Sequence, residues 1–522
     1  MRITDLLTSW DGSTQVRWAA CFTASCCLVL SACNVGPKYH VPPATAQAPP
    51  TTYKESPEHF EDSTWTVAQP KDAMLHGKWW EIFNQPELND LEEQLNINNQ
   101  NIKVSFENFM EARAVIREAR SQLFPTLSVG PGYTRSKSSA NLGSNVVTNT
   151  GTGAASTSGT QSTIESLPFD LSWEPDLWGK VRNTIHADQY AAQLSAADLE
   201  NERLTEQASL AEFYFELRGQ DALHKVYTDT VEADKKALEL TQNSYDAGVG
   251  DQISVVEAQN TLQNAEAAAT NTGVARAQYE HAIAMLIGKP ASDFSLPDRP
   301  LTPDAPAIPI GVPSQLLERR PDVAAAERTM ASANAQIDVA YAAYYPDVTL
   351  SASGGFESST LKHLLDWPSR FWSIGPSASE TIFDAGLRRA TVNQYVATYN
   401  ADVANYRQTV LVAFQQVEDY LSSVRILSDQ LKQQGEAVKS AQKYLELEMN
   451  RYNSGIDPYV DVVTAQTTLL TDQQAIATLH TQEMTAAVQL VEALGGGWDR
   501  SQLPTPAQVS QKPSRVDTAI VK

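Results

Sequence analysis

Of the side chains that could do chemistry, Cys33 has the most specific neighbours. It follows Leu30-Ser31-Ala32. A small residue before the thiol allows a peptidase to cut there. The thiol can then carry an S-diacylglycerol, and the freed amine an N-acyl chain. The other cysteines, Cys21, Cys26 and Cys27, all lie upstream. Cleavage before Cys33 would leave a mature chain with no free thiol and no disulfide, although it is exported to an oxidising compartment. The remaining candidates are sparse. The eight histidines (40, 59, 76, 186, 224, 281, 363 and 480) stand singly, with no HExxH. GxSxG, P-loop and paired-cysteine patterns are also missing. No catalytic residue, metal set or cofactor beyond the lipid is expected. The chain is not expected to be an enzyme, and any energy source must lie in a partner.

The segment before Cys33 supports the lipid reading. Arg2 and Arg17 precede the apolar run Ala19 to Ala32, too short to span a bilayer and right for a signal-peptide core. Asp5 and Asp11 dilute the positive charge of that region. The Leu-Ser-Ala-Cys end resembles the bacterial lipobox; the alternative is a plain signal peptide that happens to contain a cysteine. Asn34 replaces the aspartate that resembles an inner-membrane retention signal, which points outward. The expected location is the outer membrane of a bacterial cell. Past the signal no run of 18 apolar residues occurs, so any membrane span must be β. A net charge of −23 over 522 residues argues against nucleic acid, which demands a basic face.

Two stretches repeat. Asn243–Leu262 (NSYDAGVGDQISVVEAQNTL) and Asn450–Leu469 (NRYNSGIDPYVDVVTAQTTL) align without a gap at an offset of 207. Around them the periodicities also repeat. A helical pattern up to Gln122 stops at Pro125. TLSVGPGYTRSKS then alternates as a strand, and a Ser/Thr/Gly-rich loop follows. Leu167 to Gly179 returns as a second strand. A helix from about Val181 to Tyr245 would be roughly 100 Å long, a pillar rather than part of a globular domain. DAGVGD breaks it, and a second helix runs from about Ile253 to Ile287. After a Pro-rich connector the pattern restarts with a helix beginning at Pro321, a strand DVTLSASGGFESS, another from Phe371 to Thr381, a long helix to Tyr452 and a last one to about Leu494.

The expected organisation is a signal peptide over 1–32, a lipidated linker over 33–75, a first repeat over 76–288, a connector over 289–313, a second repeat over 314–497 and a disordered tail over 498–522. Four strands of about 10 residues suit tilted membrane strands. They cannot close a barrel, and open edges in lipid leave backbone groups unpaired at several kcal/mol each. Two, three or four chains would supply eight, twelve or sixteen strands, and only the larger barrels hold a lumen. The alternative is a water-soluble repeat protein with a small sheet.

The order and spacing of GPKYHVP, WWEIFNQPELNDL, WEPDLWG, LLERRPD, YYPDVTLSASGGF, IFDAG and the two YxxG…VVxAQ turns resemble the TolC-like outer-membrane efflux lipoproteins, the outer-membrane factors of RND-type systems. The resemblance implies a mainly α fold with membrane β: a trimeric 12-stranded barrel continued by a helical periplasmic tunnel. It implies a homotrimer in outer-membrane lipid, docked to a periplasmic adaptor and an inner-membrane pump of the resistance–nodulation–division type, and acting as a passive exit duct for small molecules.

The same resemblance places a periplasmic gate beside the repeated turns. It falls on Val460 and Asp461 in the second copy, and on Ile253 and Glu257 at related positions in the first. Relatives often carry an aspartate where Thr464 stands, which weakens an acidic ring in the second copy. Gly248 and Gly455, with Tyr245 and Tyr452, are the expected adaptor-docking turns, the glycines capping a helix in the left-handed conformation. Arg319-Arg320-Pro321-Asp322 is expected to tie the connector to the next helix. Two other functions compete: a type I protein-secretion duct with the same fold, and a lipid-anchored coiled-coil adaptor. The adaptor would show one helical hairpin where this chain shows a twofold repeat with paired strands.

Overall fold

The computed structural model describes residues 36–45, 53–54, 77–139, 161–301, 306, 308 and 318–512. Cys33, most of the linker, the loop 140–160, parts of the connector and residues 513–522 lie outside them.

The helices of the two halves match at the predicted offset. Helices α1 (Pro86–Asn98) and α2 (Gln100–Ser121) open the chain. Strands β1 (Thr126–Val129), β2 (Gly132–Lys137) and β3 (Gln161–Trp173) follow, then α3 (Lys180–Asp246) and α4 (Gln252–Leu286). The second half has α5 (Pro321–Ala342), β4 (Asp347–Ser358), β5 (Arg370–Ser379), α6 (Leu387–Asn453) and α7 (Tyr459–Ala493). Helices α3 and α6 are each 67 residues, α4 and α7 each 35, and each pair is displaced by 207. Among the described residues no helix is long and apolar enough to cross a membrane.

The chain divides into two compact units. One gathers residues 1–40, 114–189 and 331–400 and holds the strands. Its sheet runs β1/β2–β3–β4–β5, antiparallel throughout. β1 and β2 pair with β3 in one continuous register, from Thr126 opposite Ser172 to Lys137 opposite Gln161. They are a single strand in which Pro131, lacking an N–H, leaves a gap in the ladder. Among the described residues four strands result, as expected. The second spans Gln161–Trp173 rather than Leu167–Gly179: QSTIES, assigned above to the loop, is strand. Pro175 ends the ladder, and Asp176 instead accepts the backbone N–H groups of Val181 and Arg182 at 3.1 and 3.0 Å. The second repeat closes its strand-to-helix turn the same way. Asp384 accepts from the Gly386 and Arg388 N–H groups and from Arg388 Nε (2.9, 3.2 and 2.8 Å), with Gly386 at φ 90°.

Segment Gly36–His40 belongs to this unit and is packed, not a free linker. Pro37 O accepts from Asn334 Nδ2 at 3.3 Å. A Cβ on Gly36 would stand 1.9 Å from Asp338 Oδ1, so only glycine fits that approach.

The other unit gathers residues 41–113, 190–330 and 401–522. The single helix expected up to Gln122 is split at Asn99, whose Oδ1 accepts the N–H groups of Asn101 and Ile102 at 2.8 and 3.0 Å and starts α2. Its core is apolar around Trp79, Phe83, Tyr214 and Phe215. A buried ionic knot crosses it. Asp221, fully enclosed, accepts from Arg218 and Arg276 at 2.7 Å each and from the Arg299 N–H at 3.0 Å. That last bond pins the connector. Arg320 donates to Ala493 O (3.1 Å) and pairs with Asp322 (2.6 Å), which joins the start of α5 to the end of α7. The tail is ordered through Lys512, contrary to the expectation of disorder. Trp498 is buried against Ala197, Ala324 and Ala325, Arg113 donates to Val509 O and Gln511 O (3.3 and 3.0 Å), and Gln193 donates to Pro504 O (2.7 Å). The tail's polar composition conceals these fixed backbone acceptors.

Candidate functional site

Two features could carry function: the paired turns and the faces of the sheet. At the turns the sequence repeat becomes a repeat of backbone geometry. Gly248 and Gly455 have φ of 75° and 71°, which a Cβ makes costly. Gly248 N–H donates to Tyr245 O and Val249 N–H to Ser244 O; Gly455 N–H donates to Tyr452 O and Ile456 N–H to Arg451 O, all at 2.9 or 3.0 Å. Each set is a complete Schellman cap.

The next residues differ between the copies. Asp251 caps α4, accepting the Ser254 N–H at 2.8 Å. That bond holds its carboxyl below the usual range. The equivalent position is Pro458, which has no side-chain acceptor. Here Asp457 pairs with Arg451, whose Nη2 lies 2.8 Å from Oδ1, and the pairing lowers the Asp457 pKa. Glu448, Asp457 and Asp461 bring carboxylate oxygens within 4.8 Å of one another, all half-buried. Desolvation and then Asp457 push Glu448 upward. Asp461 lies in the first turn of α7, where the helix dipole favours an anion.

Beneath the turns the two copies pack together. Ala237 of α3, Ala258 of α4, and Tyr459 and Val462 of α7 form a buried cluster, flanked by Leu445, Met449 and Tyr452 of α6. Tyr452 meets Tyr459 edge-on at 5.3 Å. Asp234 of α3 lies close by, only 2% exposed. Among the described residues neither carboxylate oxygen has a hydrogen-bond partner, and burial pushes its pKa up to about 6. It also raises the pKa of Tyr459 further, after the phenol's own burial.

The predicted residues fall unevenly on this geometry. Ile253, Tyr245 and Val460 are exposed (68%, 43% and 48%), while Glu257, Asp461 and Tyr452 are half-buried. Sequence reasoning missed Asp234, Glu448 and the Arg451–Asp457 pair. A signal for Asp234 existed: position 441, its counterpart 207 residues on, is Ala.

The register sorts every strand residue onto one of two faces. One carries Leu127, Val129 and Tyr133; Leu167, Phe169, Leu171 and Trp173; Val348, Leu350, Ala352 and Phe356; and Trp372, Ile374, Pro376 and Ala378. Trp372, Ile374 and Leu127 are 78%, 76% and 70% exposed, far too much apolar surface for a sheet facing water. The opposite face is mostly serine, threonine and glycine with Asp170, Asp347 and Glu357; Ile164, Pro168 and Phe371 are its apolar members, and it has no lysine or arginine. This alternation explains why the strands look only moderately apolar when read along the chain. An apolar outer and a polar inner face are the signature of a transmembrane barrel wall.

Comparisons with known proteins agree. The family model described as "Outer membrane efflux protein" matches residues 91–289 and 312–496. The toluene efflux pump outer membrane protein TtgF of Pseudomonas putida is 31% identical over 491 residues, covering 92% of this chain and 98% of the relative. The pyoverdine export outer membrane protein OpmQ of Pseudomonas aeruginosa is 28% identical over 478 residues, covering 91% and 96%. Among solved structures, the outer-membrane channel OprN superposes with a TM-score of 0.78 at 26% identity, over 89% of this chain and 100% of that one. The CmeC outer membrane channel of Campylobacter jejuni gives 0.79 at 21% identity, over 94% and 99%. With family, fold and membrane-facing strands in accord, the chain belongs to the outer membrane efflux protein family and is an efflux channel protein of the outer membrane.

Proposed function

We propose that three copies close their four-stranded sheets into a 12-stranded barrel, and that the trimer is the passive exit duct of a tripartite efflux system. The observation that carries this is the two-faced sheet. Its apolar side needs lipid, and its two edges, β1/β2 and β5, need partners that only other copies can supply. An inner-membrane pump of the resistance–nodulation–division type, coupled through a periplasmic adaptor, supplies the energy; the chain itself performs no catalysis and needs no cofactor. Small apolar or amphiphilic compounds are the cargo class, in keeping with relatives named for toluene and antibiotic efflux.

The paired turns act as the constriction and the adaptor's docking points. Val460, Ile253, Asp461 and Glu257 narrow the entrance, while Gly248, Gly455, Tyr245 and Tyr452 set the shape that the adaptor meets. Carboxylates gathered around a closed pore repel one another and favour cations in the lumen.

Planar-bilayer conductance of the purified protein tests the duct. Stable steps with cation selectivity are expected, since each chain lines the barrel with three carboxylates and no cation. Properly inserted oligomers that never conduct would refute it. The double substitution Asp461→Ala and Glu257→Ala is expected to raise conductance severalfold; unchanged conductance and selectivity would remove these residues from the gate.

The lipid anchor on Cys33 is part of the same proposal. It is supported by the Leu-Ser-Ala-Cys sequence and by the packing of Gly36 and Pro37 directly after it. Cys33→Ser is expected to abolish incorporation of labelled fatty acid, and normal labelling of that variant would exclude the anchor.

A further inference from the structure

The apolar face of the sheet ends, on the hairpin side, in positive charge. Following the ladder toward the β4–β5 loop, the rung of Leu167 and Phe356 includes Arg370. The next rungs on that face carry Tyr133 with Glu165, then Arg135, then Lys137. The loop adds Lys362, whereas its Asp366 is taken by His363 at 2.7 Å. Arg370 lies over the Trp367 ring, 3.6 Å from its centroid, with that indole 71% exposed. Among the described residues none of Arg135, Lys137, Lys362 and Arg370 has a carboxylate partner. The loop 140–160 contributes no charged residue. In a chain of net charge −23, three cations at one margin of the apolar face, with Lys362 in the adjoining loop, call for a counter-charge. Their placement narrows the choice. Arg135 and Lys137 sit on one edge strand; Arg370 and Lys362 sit on or beside the other. If the sheet closes with other copies, β5 of one chain adjoins β2 of the next, and the two pairs of cations share a seam.

We infer that each seam between copies is a binding site for a phosphorylated glycolipid of the outer leaflet, of the lipid A class. Arg135, Lys137, Lys362 and Arg370 would hold its phosphates, and Trp367 and Trp372 would pack against its acyl chains. The chemistry suits such a lipid. Guanidinium groups take phosphate bidentately, the aromatic rings belong at the boundary between headgroup and hydrocarbon, and basic clusters beside an apolar wall select anionic lipids. The alternative use of edge cations, deterring stray strand pairing, would not need them on the lipid side of both edges. This inference rests on the shared-barrel reading proposed above.

Native mass spectrometry of the purified full-length protein, titrated with lipid A, tests it. Up to three lipids per trimer are expected to remain bound. The quadruple substitution of Arg135, Lys137, Lys362 and Arg370 by Gln is expected to lower retention at least tenfold, while Arg135→Lys with Arg370→Lys keeps most of it. Lipid A stripped of its phosphates should bind the wild type at least tenfold more weakly. Inorganic phosphate in millimolar excess should not displace the intact lipid. Equal retention by the neutral variant, equal binding of the stripped lipid, or ready displacement by inorganic phosphate would each overturn the assignment. The wild-type arms decide the matter even if the neutral variant fails to assemble. Wild-type trimers that conduct ions but show no preference for lipid A would refute this inference alone; wild-type protein that forms no trimer would refute the barrel reading beneath it.

Discussion

Ile374→Arg is expected to prevent assembly of the channel in the outer membrane, whereas Ser373→Arg, one residue away, is expected to be tolerated. Ile374 is 76% exposed and shares a rung with Ala352, Leu171 and Leu127. Counting from the Arg370 rung to the Ala378 rung, it is third of five on the apolar face, the middle of the hydrocarbon band. An arginine at the bilayer midplane costs about 2–4 kcal/mol in a barrel. Three copies would multiply that to roughly 6–12 kcal/mol, comparable with the whole stability of a typical domain. Ser373 points to the polar face, where an arginine stays hydrated and adds one cation to a wall holding only carboxylates. Its expected effect is a fall in cation selectivity, not a loss of assembly. Trimer content of isolated outer membranes and reversal potential in a salt gradient would read out the pair. Normal insertion of the Ile374 variant alongside failure of the Ser373 variant would mean that the faces are assigned the wrong way round.

Asp234→Ala is expected to stabilise the turn-proximal helices near neutral pH and to flatten their response to acid. The carboxyl is almost fully enclosed, has no hydrogen-bond partner among the described residues, and titrates at about 6 against an ordinary 3.8. Desolvation is the cause, because it disfavours the charged form. Below about pH 4 the group is protonated whether the helices are packed or open, and it contributes no penalty. Between about pH 4 and 6 the open form ionises freely while the packed form keeps its proton, so stability falls with rising pH across that window and the full loss is present above 6. That difference in pKa corresponds to roughly 3 kcal/mol per chain. The charged and titratable groups facing the same cluster are Glu257, Tyr459 and Tyr452; burial raises the Tyr459 phenol further from this range. Alanine is already the solution in the second repeat, where Ala441 is buried at the matching position. Amide hydrogen exchange of residues 228–240 and 459–466 at pH 4.5 and 7.5 would measure the opening free energy. The wild type should open more readily at the higher pH, and the variant should lose most of that dependence. Identical pH responses would show that Asp234 does not control this packing.

The sequence alone determined the elements and their duplication. Gly248 and Gly455 announce helix ends because no other residue adopts that φ cheaply. The 67- and 35-residue helices recur at the offset visible in the text of the chain, since local propensity and cap residues set helix ends within a residue or two. Proline before the strands and the alternation within them likewise act locally. What only the tertiary structure decided depends on partners distant along the chain. Which strand residues face lipid follows from pairing across β1–β5, because one slip in register would exchange the faces. QSTIES is strand because β2 pairs along all of it and β4 along its last two residues, though its composition is that of a loop. The tail is ordered because Arg113 and Gln193 reach it, which its own residues do not reveal. Asp234 reads as one more surface charge on a long helix until Tyr459 and its neighbours close over it, and burial, not residue type, sets the pKa of a carboxyl.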